Sequence, residues 1–324
     1  MNSGAVSVYL IASKISRTSA ISAALLSILI MDIFHIDAIS WQIGLAIAAL
    51  ALGIPHGAVD HLISLPKNSP RKLIIFVSAY VAIAVVAGAA IFQWNIIGFQ
   101  LVLIMSFIHF GIGDATFLVE LGDAREQPRK RIMVKFFYAL SSGALPVFLP
   151  LTSSETQKAL NKIHPALIDW AGTGAARIRA AVLIFAAITA LLLIFTRGWR
   201  ELLDLTALFA LSFFAPPLVA FAVYFGLWHA LRHTARLTQL LSPARQYSDA
   251  GQPGKSLISA SIPGLPALIG AVVIAAGFII FRGEKFSTDF FWNLLVIVWA
   301  LTVPHMLVTA RIDRRVLNKY SAKR

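Results

Sequence analysis

Apolar residues run through this chain in blocks parted by short polar stretches. The blocks fall at residues 18–34, 41–64, 73–92, 96–121, 132–151, 180–195, 202–214, 218–236, 257–281 and 290–310. A helix needs about 20 apolar residues to cross the hydrocarbon of a bilayer. The pattern therefore predicts an all-α polytopic membrane bundle of about ten transmembrane helices. The count falls to eight or nine if the first block, or the short one before Pro216, does not cross. In the second block the run is apolar to Leu52 and then becomes GIPHGAVDH, where Gly53 and Pro55 predict a kink. A short interfacial helix is expected around 166–170, inside the polar stretch 152–179, and 237–255 reads as a polar loop. No internal repeat or separate soluble domain emerges. The chain reads as one transmembrane domain, 1–324, with basic tails at 1–17 and 311–324.

Composition agrees. The chain is 58% hydrophobic and 13% charged, where a soluble domain carries about 25% charge. A net charge of +13 would suggest nucleic acid in a soluble protein. Here the basic residues gather at Lys14/Arg17, 67–72, 125–135, 197–200, 236–255 and the C-terminal tail. The loops at 35–40, 93–95 and 216–217 are nearly free of Lys and Arg, with 152–179 and 282–285 as exceptions. By the positive-inside rule this places both termini in the cytoplasm, in an inner (plasma) membrane, and argues against nucleic acid. The first block reads as a span and not a cleaved leader. Cysteine is absent, which removes disulfides, thiolate metal sites and Fe–S clusters. No lysine lies in mid-span, which excludes a retinal Schiff base.

Candidate chemistry lies in the histidines. Eight are present, and six fall within spans: His56, His61, His109, His229, His233 and His305. Histidine in hydrocarbon needs a partner, a ligand or a wet cavity. His229 and His233 are four apart, on one helix face with Cβ atoms roughly 5–6 Å apart, within reach of a single metal ion. His56, His109, His229, His233 and His305 occupy similar depths in four different spans. His61, five after His56, is turned away. His305, after Pro304, reads as ligand, supporting residue or cavity lining. Asp60 and Asp114 are placed to orient imidazoles or to make buried polar bonds between helices. No Glu lies mid-span near the histidines, so a carboxylate-bridged di-iron site is unsupported. Imidazole suits Zn, Cu, Fe and Ni. Phe107, Phe110, Tyr224, Phe225 and Trp228 flank the histidines and are expected to wall a cavity. An all-imidazole ferrous site reacting O₂ beside such a cavity fits these residues. A b-type haem protein, a histidine-lined transporter and a non-catalytic carotenoid-handling role remain alternatives.

Four motifs sharpen the choice. PHGAVDH at 55–61, HFGIGDA at 109–115, WHALRH at 228–233 and PHM at 304–306 occur in this order. Together, over about 53–306, they resemble the Brp/Blh family of integral-membrane β-carotene 15,15′-dioxygenases. The resemblance implies an Fe(II) enzyme that splits the central 15,15′ double bond of β-carotene with O₂ into two all-trans-retinal molecules. It maps the iron-ligand, catalytic histidines onto His56, His109, His229 and His233. His61 and His305 fall outside that set, as do Asp60, Asp114, Tyr224 and Trp228, which are expected beside the ligands or the cavity. It also implies a functional link to a microbial rhodopsin.

Overall fold

A computed structural model describes residues 3–34, 39–66, 69–127, 131–153, 169–270 and 288–321, together with 161, 164 and 273. Regular structure among the described residues is helical throughout. Hydrocarbon offers no water to backbone N–H and C=O groups, so apolar blocks of this length satisfy them internally as helices. The long helices are α1 (Ser3–Ile28), α2 (Ile39–Gly57), α4 (Pro70–Gln93), α5 (Asn95–Ala124), α6 (Ile132–Leu151), α7 (Ala175–Phe195), α8 (Trp199–Phe214) and, at the C-terminal end, α13 (Thr288–Ser321). A one-turn helix, α3 (Asp60–Ser64), restarts the chain after α2. The stretch from α9 (Pro217–Ala222) to α10 (Leu231–Leu237) is joined by a π-helical segment, Val223–Ala230.

Among the described residues, seven helical segments are long and apolar enough to cross a membrane: Ser3–Met31, Ser40–Ser64, Pro70–Gln93, Asn95–Ala124, Ile132–Leu151, Gly172–Phe195 and Trp292–Asn318. The molecule is a multi-pass helical membrane protein. The other three expected spans differ in kind. Helix α8 has 16 residues, short for a crossing. The eighth span is helical but divided by its π segment. The ninth is helical as far as residue 270, and beyond that all but residue 273 lies outside the described residues, as does most of the interfacial helix expected at 166–170. One expectation is revised. The loop at 237–255 folds into α11 (Ser242–Asp249) and α12 (Pro253–Ser261), both opened by Pro in their first turn. The described parts of the two tails, 3–17 and 311–321, are helical: α1 begins at Ser3 and buries Val8, Tyr9 and Ala12, and α13 runs on to bury Asp313. Small residues (Ala5, Ala12, Ser13, Ser16) let α1 approach its neighbours closely.

The outer face is apolar. On α4, Ile74, Ile75, Val81, Val85 and Val86 are exposed, while Ala84 and Ile91 are buried. In water such a face would be a liability; in lipid tails it costs nothing. The buried core joins α5 to α6, α1 to α8, and α13 to α4 and α5.

Helices α5 and α6 meet backbone to backbone. A Cβ added to Gly111 would lie 2.1 Å from the Ala139 carbonyl oxygen, and one added to Gly143 would lie 2.2 Å from that of Phe107. Gly111→Ala is therefore expected to force α5 off α6, costing about 1–3 kcal/mol as overpacking does. Thermal unfolding in detergent measures this; an unchanged midpoint would show that the crossing relaxes freely.

Candidate metal centre

The second apolar block ends in a helix break. Pro55 cannot donate a backbone hydrogen bond, α2 stops at Gly57, and α3 starts anew at Asp60. The His56 ring folds back on its own turn, where Nδ1 bonds to the Gly53 carbonyl. A carbonyl only accepts, so Nδ1 carries the proton and Nε2 presents its lone pair.

Helix α5 supplies His109. Its Nδ1 lies 3.2 Å from Thr309 Oγ1 on α13. That hydroxyl also faces the His305 carbonyl at 3.0 Å. Having a single proton, it donates to the carbonyl and accepts from His109 Nδ1–H. His109 Nε2 is thereby free as a lone pair, and it lies 3.1 Å from His229 Nε2.

His229 sits in the π-helical segment and His233 in α10, their rings 6.2 Å apart and nearly parallel. π-Bulges within helices often mark functional positions. The fifth ring is His305 of α13, whose Nδ1 lies 2.9 Å from Asp60 Oδ2. The His56 ring lies 5.2 Å from His229, 5.3 Å from His233 and 5.1 Å from His305. Donor atoms of His56, His229 and His305 all fall within 4.8 Å of one another. All five histidines are buried.

This donor set fits a metal ion. The Nε2 atoms of His233 and His305 are buried without a hydrogen-bond partner, and such orphans are costly unless something else meets them. Three of the five imidazoles have Nδ1 occupied by an acceptor and Nε2 turned inward. Neutral imidazoles without thiolate or carboxylate among them suit Fe, Zn, Cu or Ni.

The remaining candidates separate. His61 is only half-buried, and its Nδ1 bonds to its own turn at the Ala58 carbonyl, 3.1 Å away. Asp60 orients an imidazole, but that of His305 and not of His56. Asp114 touches no histidine: it accepts from Trp228 Nε1 at 3.0 Å and from Arg232 at 3.1 Å. Trp228 is thus turned toward Asp114 and away from the cavity. Tyr224 packs behind Phe110, ring centroids 5.0 Å apart, and Phe107 against Phe148. Neither lines the cavity described next.

That cavity has a volume of about 470 Å³ and lies against one side of the cluster, with His56, His229 and His305 in its wall. This is in the usual range of about 300–1,000 Å³ for small-molecule sites. Phe110, Phe225, Leu50, Ile54 and Leu294 make its lining apolar. Val77, Val81 and Leu301 line it too, and they are exposed on the outer apolar surface. On the other side, His233 borders a smaller pocket of about 240 Å³ with Tyr9, Glu120, Asp123 and Arg236.

The ionic frame around the cluster is only partly legible in the sequence, where Arg232 reads as pairing with a carboxylate or reaching the inner interface. Arg232 is buried between Asp114 and Asp204, and Asp204 also pairs with Arg17. Arg236 pairs with Glu120 and Asp313. The signal was present, since each of these charges lies in or beside an apolar run and needs a counter-charge. Which acid meets which base was not legible.

Comparison with known proteins adds a second line. A family model described as beta-carotene 15,15'-dioxygenase matches residues 47–313. A probable beta-carotene 15,15'-dioxygenase, Blh, of Halobacterium salinarum is 25% identical over 296 residues, spanning 83% of this chain and 84% of that protein. A beta-carotene 15,15'-dioxygenase of an uncultured marine bacterium, 66A03, is 26% identical over 280 residues, or 81% and 90% of the two chains. No solved structure shows a significant match.

Proposed function

This chain belongs to the β-carotene 15,15′-dioxygenase family, and from that premise we infer a membrane enzyme that cleaves a carotenoid with O₂ at an iron ion held by His56, His109, His229 and His233. The substrate is β-carotene, split at its central 15,15′ double bond. One C=C is replaced by two aldehydes, each taking one oxygen atom of O₂, to give two all-trans-retinal molecules. The observation that carries this reading is a cluster of buried imidazoles opening directly onto an apolar cavity.

The protein's own residues do the following. A long polyene is already dissolved in the bilayer, and the exposed lining at Val77, Val81 and Leu301 gives it a lateral way in. Phe110 and Phe225 stand beside His229 and His56, 4.6 Å and 5.9 Å from them by ring centroid. There they grip the flat polyene against the imidazoles. The apolar wall excludes water, and the cavity's end sets which double bond lies beside the cluster. Gly53, Thr309 and Asp60 hold the Nδ1 protons, so the Nε2 lone pairs converge. Ferrous iron bound there supplies the one-electron chemistry that O₂ needs to react with a closed-shell polyene. A b-type haem fits less well, because imidazoles already ring to ring leave no space for a porphyrin between them.

Both termini are assigned to the cytoplasm of the plasma membrane, because the basic loops alternate with uncharged ones. A microbial rhodopsin is a natural consumer of the product.

Expression in a β-carotene-producing bacterium tests the reading. The expected result is loss of orange colour with accumulation of retinal. Chelation should abolish turnover in purified protein, ferrous iron should restore it, and zinc should not. Colour retained without retinal would sink the assignment. Turnover that survives iron removal would sink the metal alone.

A further inference from the structure

Resting on the iron reading above, we propose that His305 is a fifth iron-directed imidazole and that Asp60 is the residue that positions it. The motif histidines place four imidazoles at the site, yet His305 is as central as any of them. Its ring lies 5.1 Å from His56 and 5.4 Å from both His109 and His233. Its donor atom falls within 4.8 Å of those of His56 and His229.

The ring's orientation is built in. Asp60 is buried and lies 2.9 Å from His305 Nδ1. A carboxylate accepts, so Nδ1 carries the proton and Nε2 is the lone pair. That Nε2 is buried and has no partner. A carboxylate behind an imidazole is how metal-binding histidines are commonly held in the right tautomer. The fold also leaves room for the ring. A Cβ added to Gly57 would lie 3.3 Å from His305 Cγ and Nδ1, so a larger residue there would press on the ring. The helix break after Gly57 then turns Asp60 toward α13. The segment PHGAVDH thus does two jobs: it gives His56 to the cluster and a carboxylate to the histidine of another helix. Pro304 precedes His305 as Pro55 precedes His56, and helix α13 brings Thr309 to His109 one turn further on.

The test is metal binding, read without turnover. Full-length apo-protein in detergent is titrated with Co(II), following its visible ligand-field bands, and its Fe(II) affinity is measured by chelator competition. His305→Ala should weaken binding by more than about 100-fold and alter the Co(II) bands. Asp60→Asn, which loses the orienting carboxylate, should weaken it by about 10–100-fold, as is typical for residues behind a ligand. Adding imidazole to His305→Gly should return the wild-type bands. Wild-type affinity and bands in folded His305→Ala overturn the proposal. If that variant does not fold, wild-type affinity in Asp60→Asn overturns it instead. A wild-type protein that binds neither ion fails differently: it removes the iron reading on which this inference stands.

Discussion

His229→Ala is expected to lose retinal formation almost entirely, to below about 1% of wild type. Loss of a residue merely behind a ligand already costs about 10–100-fold, and His229 stands closer than that. Its Nε2 is 3.1 Å from His109 Nε2, and its donor atom belongs to the tight trio with His56 and His305. It also forms part of the cavity wall, so the same substitution removes both a donor and a surface that meets substrate. Bound iron, measured by mass spectrometry on purified protein, should fall in parallel. His233→Ala should also lose iron, but its ring does not line the apolar cavity. Residual activity under excess ferrous iron should therefore be higher in His233→Ala than in His229→Ala. Wild-type iron content and turnover in both variants would remove the cluster from the mechanism.

Arg232→Met should have the largest effect on stability. The guanidinium is buried, with Nη1 3.1 Å from Asp114 Oδ1 and Nη2 3.0 Å from Asp204 Oδ1. It stacks 3.9 Å above the Trp228 ring. Removing one partner of a buried ion pair leaves an uncompensated charge and costs about 3–5 kcal/mol. Here two carboxylates are left. Asp204 keeps Arg17, and Asp114 keeps the Trp228 indole and Tyr138, which sets the loss within that range and not above it. Thermal unfolding in detergent reads it. Arg232→Lys should recover only part of the loss, because an ammonium cannot span both carboxylates as the guanidinium fork does. Adding Asp114→Asn to Arg232→Met should return part of the stability, because Asp114 is the carboxylate left without a cation. Since Arg232 lies between His229 and His233 in sequence, iron affinity should fall with stability. An unfolding midpoint equal to wild type would mean that water or a rearranged Arg17 serves both acids.

How much of this was legible in the sequence depends on the range of the property. Helix α6 begins and ends at the expected residues, 132 and 151, because hydropathy is a local sum that the bilayer reads directly. The i,i+4 spacing of His229 and His233 likewise survives as two nearly parallel rings, even through a π-helical segment. By contrast, α1 begins fifteen residues before the expected start at 18, since Lys14, Arg17 and several serines lower local hydropathy. Arg17 is tolerated there because Asp204 and the Arg200 carbonyl, far away in sequence, meet it.

The sequence by itself determined an all-α membrane bundle, its family motifs and the residue types available for a metal. All of these are written in composition, short-range periodicity and order along the chain. Only the tertiary structure decided that His305 stands inside the cluster, that Asp60 serves His305, and that Asp114 serves Arg232 and Trp228. Those outcomes depend on how each helix is rotated about its own axis and where its chain breaks. Packing across helix interfaces sets both, as at Gly111 against Ala139 and at the turn after Pro55. A polar side chain in hydrocarbon must find a partner, but its own segment does not say which one.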